Sequence, residues 1–173
     1  MRKKTKKLTV SAMLAALSVV VMLAGSIIEV MDLSVAALAS FAVIFAILEL
    51  GGAYPYMIFA SVSILGMLLL PSKLPALYYL LFFGWYPLVK YPLERLNVWL
   101  SRILKAGAFA LSVTAITLVS IYVAGMEDAI PLNVWVYVLC IPVFAIYDIA
   151  LTRVTRTYLW VWKRRFRIDL SRR

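Results

Sequence analysis

The sequence predicts an all-α integral membrane protein: one domain over residues 1–173, a six-transmembrane-helix bundle with N- and C-termini cytoplasmic. Three observations predict it. Hydrophobic residues make up 65% of the 173, and mean hydropathy is +0.96; in soluble domains about half the residues are apolar. The apolar runs reach about 20 residues, which at about 1.5 Å per residue spans a hydrocarbon core. Cations are concentrated on alternate connections between those runs, the pattern that orients helices across a membrane.

The first span is 8–28. Arg2, Lys3, Lys4, Lys6 and Lys7 precede it, and no charge interrupts it. A secretory signal peptide is the competing reading, with Ala24-Gly25-Ser26 as its cleavage site. The apolar run is longer than a signal core of about 7–15 residues, and the charge pattern of the whole chain needs this span, so an anchor is expected. Glu29 and Asp32 mark a short turn, and the second span follows at 33–50. Gly51-Gly52 breaks the helix before a third span at 54–70, which stops at Pro71. Ser72-Lys73 turns into a fourth span at 74–92, with Pro87 and Pro92 near its end.

Residues 93–105 differ in character. Leu93, Leu96, Leu100 and Leu104 recur at helical spacing, with Arg95, Arg102 and Lys105 between them. That pattern predicts an amphipathic interfacial helix between spans four and five. The fifth span is 106–124, Glu127 and Asp128 fall in the next loop, and the sixth span is 133–152. A basic tail, 153–173, carries Tyr158, Trp160 and Trp162.

Charge tests the topology. Of 18 lysines and arginines, all but Lys73 fall on the N-terminal arm, the 90–105 connection or the tail. Both ends are therefore expected inside, since five or seven spans would put one basic end outside. A formal charge of +10 would suggest nucleic acid in a soluble protein. Here the cations lie outside the apolar runs, so orientation and anionic lipid at the basic ends account for them, and no nucleic acid is expected.

The chain lacks the residues of an enzyme. It has no histidine and one cysteine, Cys140, so Ser-His and Cys-His pairs, an internal disulfide and a multi-thiolate metal site are excluded. Gly51-Gly52 is followed by Ala-Tyr-Pro, not by the lysine of a phosphate-binding loop. No catalytic residue, metal or cofactor is expected. Glu49 and Asp148, near inner span ends, read as structural or partner-contacting more than as proton carriers, and Asp148, near Arg153 on the same helix, is expected to pair with a cation of the inner surface.

Two groups of residues carry information. Small residues repeat on helix faces: Ser11/Ala15 and Ala12/Ala16 in the first span, Ala36/Ser40 and Ala42/Ala46 in the second, Ala106/Ala110 and Ala108/Ser112 in the fifth. Small side chains let helices approach closely where no water drives them together. Such faces serve packing within the bundle or docking of an external partner, and for Ser11, Ala12, Ala15 and Ala16 a partner is the sharper expectation. The second group is polar and aromatic residues at outer helix ends: Glu29, Asp32, Lys73, Tyr78, Tyr79, Asn133, Trp135 and Tyr137. They either converge on a small-molecule pocket or form an interfacial aromatic belt with solvated charges.

Six short spans, both ends inside, tiny loops, and a basic arm leading into Lys7-Leu-Thr-Val-Ser-Ala-Met-Leu-Ala-Ala-Leu-Ser18 resemble the substrate-binding S components of energy-coupling factor (ECF) vitamin transporters. In that family an Ala-rich face of the first helix docks on a transmembrane coupling protein, which would correspond to Ala12, Ala15 and Ala16. Asp32-Leu-Ser34 is similar to the start of the second helix in riboflavin-type members. The resemblance implies capture of a vitamin-like molecule from outside. Delivery would follow by toppling within a complex of coupling protein and two ATPase subunits, with no ATP hydrolysis by this chain. A small structural or assembly membrane protein without a ligand is the alternative. An independent secondary transporter fits less well, because the spans show no internal repeat and no mid-membrane ion or proton site is read.

Overall fold

A computed structural model of the chain describes residues 2–27, 31–93, 98–122, 134–158 and 160. Every regular element among them is helical: α1 (Arg2–Ser26), α2 (Asp32–Glu49), α3 (Tyr54–Leu69), α4 (Leu74–Tyr78), a π-helical turn (Tyr79–Phe83), α5 (Tyr86–Leu93), α6 (Val98–Tyr122) and α7 (Val134–Thr157). Three helices among the described residues are long and apolar enough to cross a membrane: Lys4–Ser26, Asp32–Glu49 and Trp99–Val119. That is the build of a membrane-associated helical protein.

Local chemistry explains the boundaries. Gly51 and Gly52 both adopt positive φ, 60° and 61°, a left-handed pair that side chains rarely tolerate, and the chain reverses there into α3. Pro55 and Pro75 stand in the first turns of α3 and α4, where a missing N–H costs nothing. Leu70 ends α3 in an extended conformation (ψ 134°), as expected of a residue before proline.

Helix α2 lies at the centre. It packs against α1, α3, α4, the π turn and α5. Met22, Ala36, Val43, Ala46, Ile58, Val62 and Ala76 form the interior with Tyr79 and Tyr86. Close approach depends on small residues. Gly25 abuts Val35, where a Cβ would come within 2.2 Å of the valine side chain. Ser18 donates to the carbonyls of Leu14 (2.9 Å) and Ala39 (3.3 Å), so its hydroxyl bridges α1 and α2.

The expected fourth span is not one uniform helix. Its middle is a π turn, closed by the Gly84 amide donating to the Tyr79 carbonyl at 2.7 Å, five residues back. Pro87 then supplies no amide to the carbonyl of Phe83, four residues earlier. The phenol of Tyr147 on α7 lies 3.3 Å from that oxygen and donates to Ser40 Oγ at 2.8 Å. The irregularity thereby exposes a backbone acceptor to a distant helix.

Residues 93–105 require a correction. They are not a separate interfacial helix ahead of a span at 106–124: α6 is continuous from Val98 to Tyr122, and residues 94–97 lie outside the described residues. No proline stops the helix at 105, and a lone Gly107 costs only about 1 kcal/mol. The inward face of this end is Ser101 and Lys105, while Leu100 and Leu104 are exposed. The residues of the tail beyond 160 also lie outside the described residues.

Candidate functional site

The candidate site is a cavity of about 170 Å³ between the start of α2, the π turn, α6 and α7. Its wall is aromatic. Phe82 and Phe83 come from the π turn, Tyr78 from the last residue of α4, Phe109 from α6, and Phe144 and Tyr147 from α7. The rings also hold one another. Phe109 stacks on Phe144 with centroids 4.7 Å apart, and Phe83 meets Tyr147 edge-on at 4.7 Å. Phe82 lies between Phe83, Phe109, Phe144 and Tyr147, at 5.0–6.2 Å from each. Such pairs add about 0.5–1.5 kcal/mol each beyond area burial.

Phe82 and Phe83, the last two residues of the π turn, both reach the cavity. The polar groups of the lining are Ser112, Thr117, Cys140 and the tyrosines. Ser112 and Thr117 donate to the carbonyls of Ala108 and Val113, both at 2.9 Å. Both hydroxyls are thereby satisfied within α6, and the surface of the cavity is almost wholly apolar. Among the described lining residues there is no charged side chain.

The cavity is toward the end of the bundle remote from the basic arm. Helix α1 leads away from Arg2, and α2 begins at that far end and returns, so Leu33 in the wall is distant from Glu49. The return is fixed by Lys7, whose ammonium donates to the Leu50 carbonyl at 2.9 Å and stands 6.0 Å from the ring centroid of Tyr54.

Of the eight residues expected to bind a ligand, Asp32, Lys73, Tyr78 and Tyr79 have described side chains. Tyr78 lines the cavity and Asp32 precedes Leu33 of its wall. Tyr79 does not join them: it is fully buried against α3, with its ring 6.2 Å from that of Phe59. Lys73 is exposed and donates to the Leu70 carbonyl at 2.7 Å. Trp135 and Tyr137 fall in the first turn of α7. Glu29 and Asn133 lie outside the described residues. The four small residues of α1 also divide. Ser11 and Ala15 are buried against the chain's own helices, whereas Ala12 and Ala16 are exposed.

Beneath the aromatic wall lies a polar cluster that local sequence does not reveal. Lys90 on α5 donates to Asp148 Oδ1 (2.5 Å), to the Asp148 carbonyl (2.7 Å) and to Thr152 (2.8 Å). Tyr86 donates to the same carboxylate at 2.7 Å, and Lys105 on α6 reaches its other oxygen at 3.5 Å. Asp148 is thus paired with two lysines from other helices. At the basic end, Glu49 is 1% exposed and accepts a hydrogen bond from Tyr158 at 2.8 Å. Burial, and then the Glu49 carboxylate, raise the Tyr158 phenol above its ordinary pKa, which keeps it the donor.

No group of three or more metal-ligating side chains occurs among the described residues. Comparison with family models, with curated proteins and with solved structures gives no match.

Proposed function

We propose that this chain is a six-span membrane protein with both termini cytoplasmic, acting as the substrate-capture subunit of an ECF-type transporter. The observation that carries the reading is the aromatic cavity at the end of the bundle remote from the basic arm. Apolar cavities of about 150 Å³ take one benzene-sized ring, so about 170 Å³ suits one ring with a short substituent. The uncharged and almost wholly apolar lining favours a neutral, apolar guest.

Ala12 and Ala16 supply a second support. They leave an exposed, shallow stretch on α1, the kind of surface on which a coupling membrane protein's helix approaches closely. The ATPase subunits would then act through that partner.

The test is a mild-detergent purification of the tagged protein from its own cells, read by mass spectrometry for proteins and metabolites. A co-purified coupling protein with ATPases, and a ring-bearing metabolite lost in Ser112→Leu, is the expected result. Intact, abundant protein carrying neither would turn the reading toward a structural membrane protein.

A further inference from the structure

A second concavity opens between α1, α2 and the end of α7. Its deep part, about 330 Å³, is walled by Leu17 and Val21 of α1, Leu38 and Phe45 of α2, and Val154 of α7. Ser18 borders it, but the serine hydroxyl is already bonded to the Leu14 and Ala39 carbonyls. Phe45, Val154 and Tyr158 continue into a wider mouth of about 420 Å³, where Arg153 and Thr157 stand exposed. This mouth lies at the basic end of the bundle, beside Glu49 and Tyr158.

We infer that this groove seats one anionic phospholipid of the leaflet at the basic end. An acyl chain would run between α1, α2 and α7, and the phosphate would lie at Arg153 and Thr157. Charge argues for this occupant, because apolar walls end at a single lining cation among the described residues, Arg153. An acyl chain is thin enough to enter. Its apolar length matches the walls, and its headgroup meets a cation only at the mouth. A guanidinium binds phosphate oxygens in a two-pronged fashion. The inference rests on the chain lying in a membrane, not on the transport reading.

The test uses the full chain purified from nanodiscs of phosphatidylglycerol or of phosphatidylcholine, with retained lipid counted by native mass spectrometry. One phosphatidylglycerol should survive washing at about tenfold higher occupancy than phosphatidylcholine. Arg153→Gln should bring the two to the same level. Ala42→Phe, which fills the groove from α2, should lower retention of both. Equal retention of the two lipids by the unaltered protein would overturn the inference, as would retention indifferent to Arg153→Gln. A disulfide-linked dimer through Ala42→Cys, with no lipid held, would assign the groove to a second copy instead.

Discussion

Lys90 on α5 and Asp148 on α7, 58 positions apart in sequence, meet at 2.5 Å inside the helix bundle. The carboxylate is also held by Tyr86 and approached by Lys105, so it ties α5, α6 and α7 together below the aromatic cavity. Among the described residues, α6 and α7 meet chiefly in this cluster and in the rings above it.

Removing one member of a buried ion pair leaves the other charge uncompensated, at a cost of about 3–5 kcal/mol. Asp148→Leu strands two lysines and is expected to lose stability at the top of that range. Lys90→Met leaves Asp148 with Tyr86 and Lys105 and should cost less. Unfolding of detergent-solubilised variants, followed by circular dichroism, measures both. Equal losses would mean that Lys105 takes no share in the cluster.

This cluster also shows what was legible in the sequence. The bounds of α1, α2 and α3 follow from local cues: the apolar run after the basic arm, Gly51-Gly52 and Pro71. The continuity of α6 does not. Arg95, Arg102 and Lys105 interleaved with leucines give the period of an interfacial helix, and the carboxylate that Lys105 turns inward to meet, Asp148, is 43 positions away. The π turn has the same difficulty, since Tyr79–Phe83 reads as any apolar helix. Gly84 and Pro87 were its available signals. Of the cavity, Tyr78 was read from its place at a helix end. Phe109, Phe144 and Tyr147 were hidden among ordinary apolar residues, because their convergence exists only once α6 and α7 pack. The one sequence cue was the Phe144/Tyr147 spacing, which puts two rings on one helix face.

Ala15 and Ala16 are neighbours that should behave oppositely. Ala15 is buried and Ala16 is exposed. Ala15→Leu overpacks the contact of α1 with the bundle and should lower stability by about 1–3 kcal/mol. Ala16→Leu should leave the melting transition unchanged and weaken recovery of a coupling protein in the pull-down. If Ala16→Leu retains the partner at the native level, the exposed alanines are not the docking surface.

Phe82 has the most ring neighbours in the cavity wall, touching Phe83, Tyr86, Phe109, Phe144 and Tyr147. Phe82→Ala should therefore cost about 3–5 kcal/mol, from lost contacts and an enlarged void. Phe59, partly buried and paired with Tyr79, should cost less on the same substitution. Comparing the two unfolding midpoints decides whether the aromatic wall is the rigid part of the fold.

Gly84 and Gly107 give the sharpest contrast. A Cβ on Gly84 would lie 2.6 Å from the Phe59 ring and 2.8 Å from that of Tyr79, at the residue whose amide closes the π turn. Rings wedged in a bundle give little, so Gly84→Ala should shift the π turn and destabilise by about 1–3 kcal/mol. Phe82 and Phe83 ride on that turn, so the cavity should change shape and ligand retention should fall with stability. Nothing lies within 4 Å of a Cβ on Gly107, which sits exposed in mid-helix. There alanine removes only the conformational cost of glycine and should stabilise by about 0.5–1 kcal/mol. Thermal unfolding of the two variants reads opposite signs, and a Gly84→Ala protein as stable as the parent would show that the π turn tolerates a side chain at its closing residue.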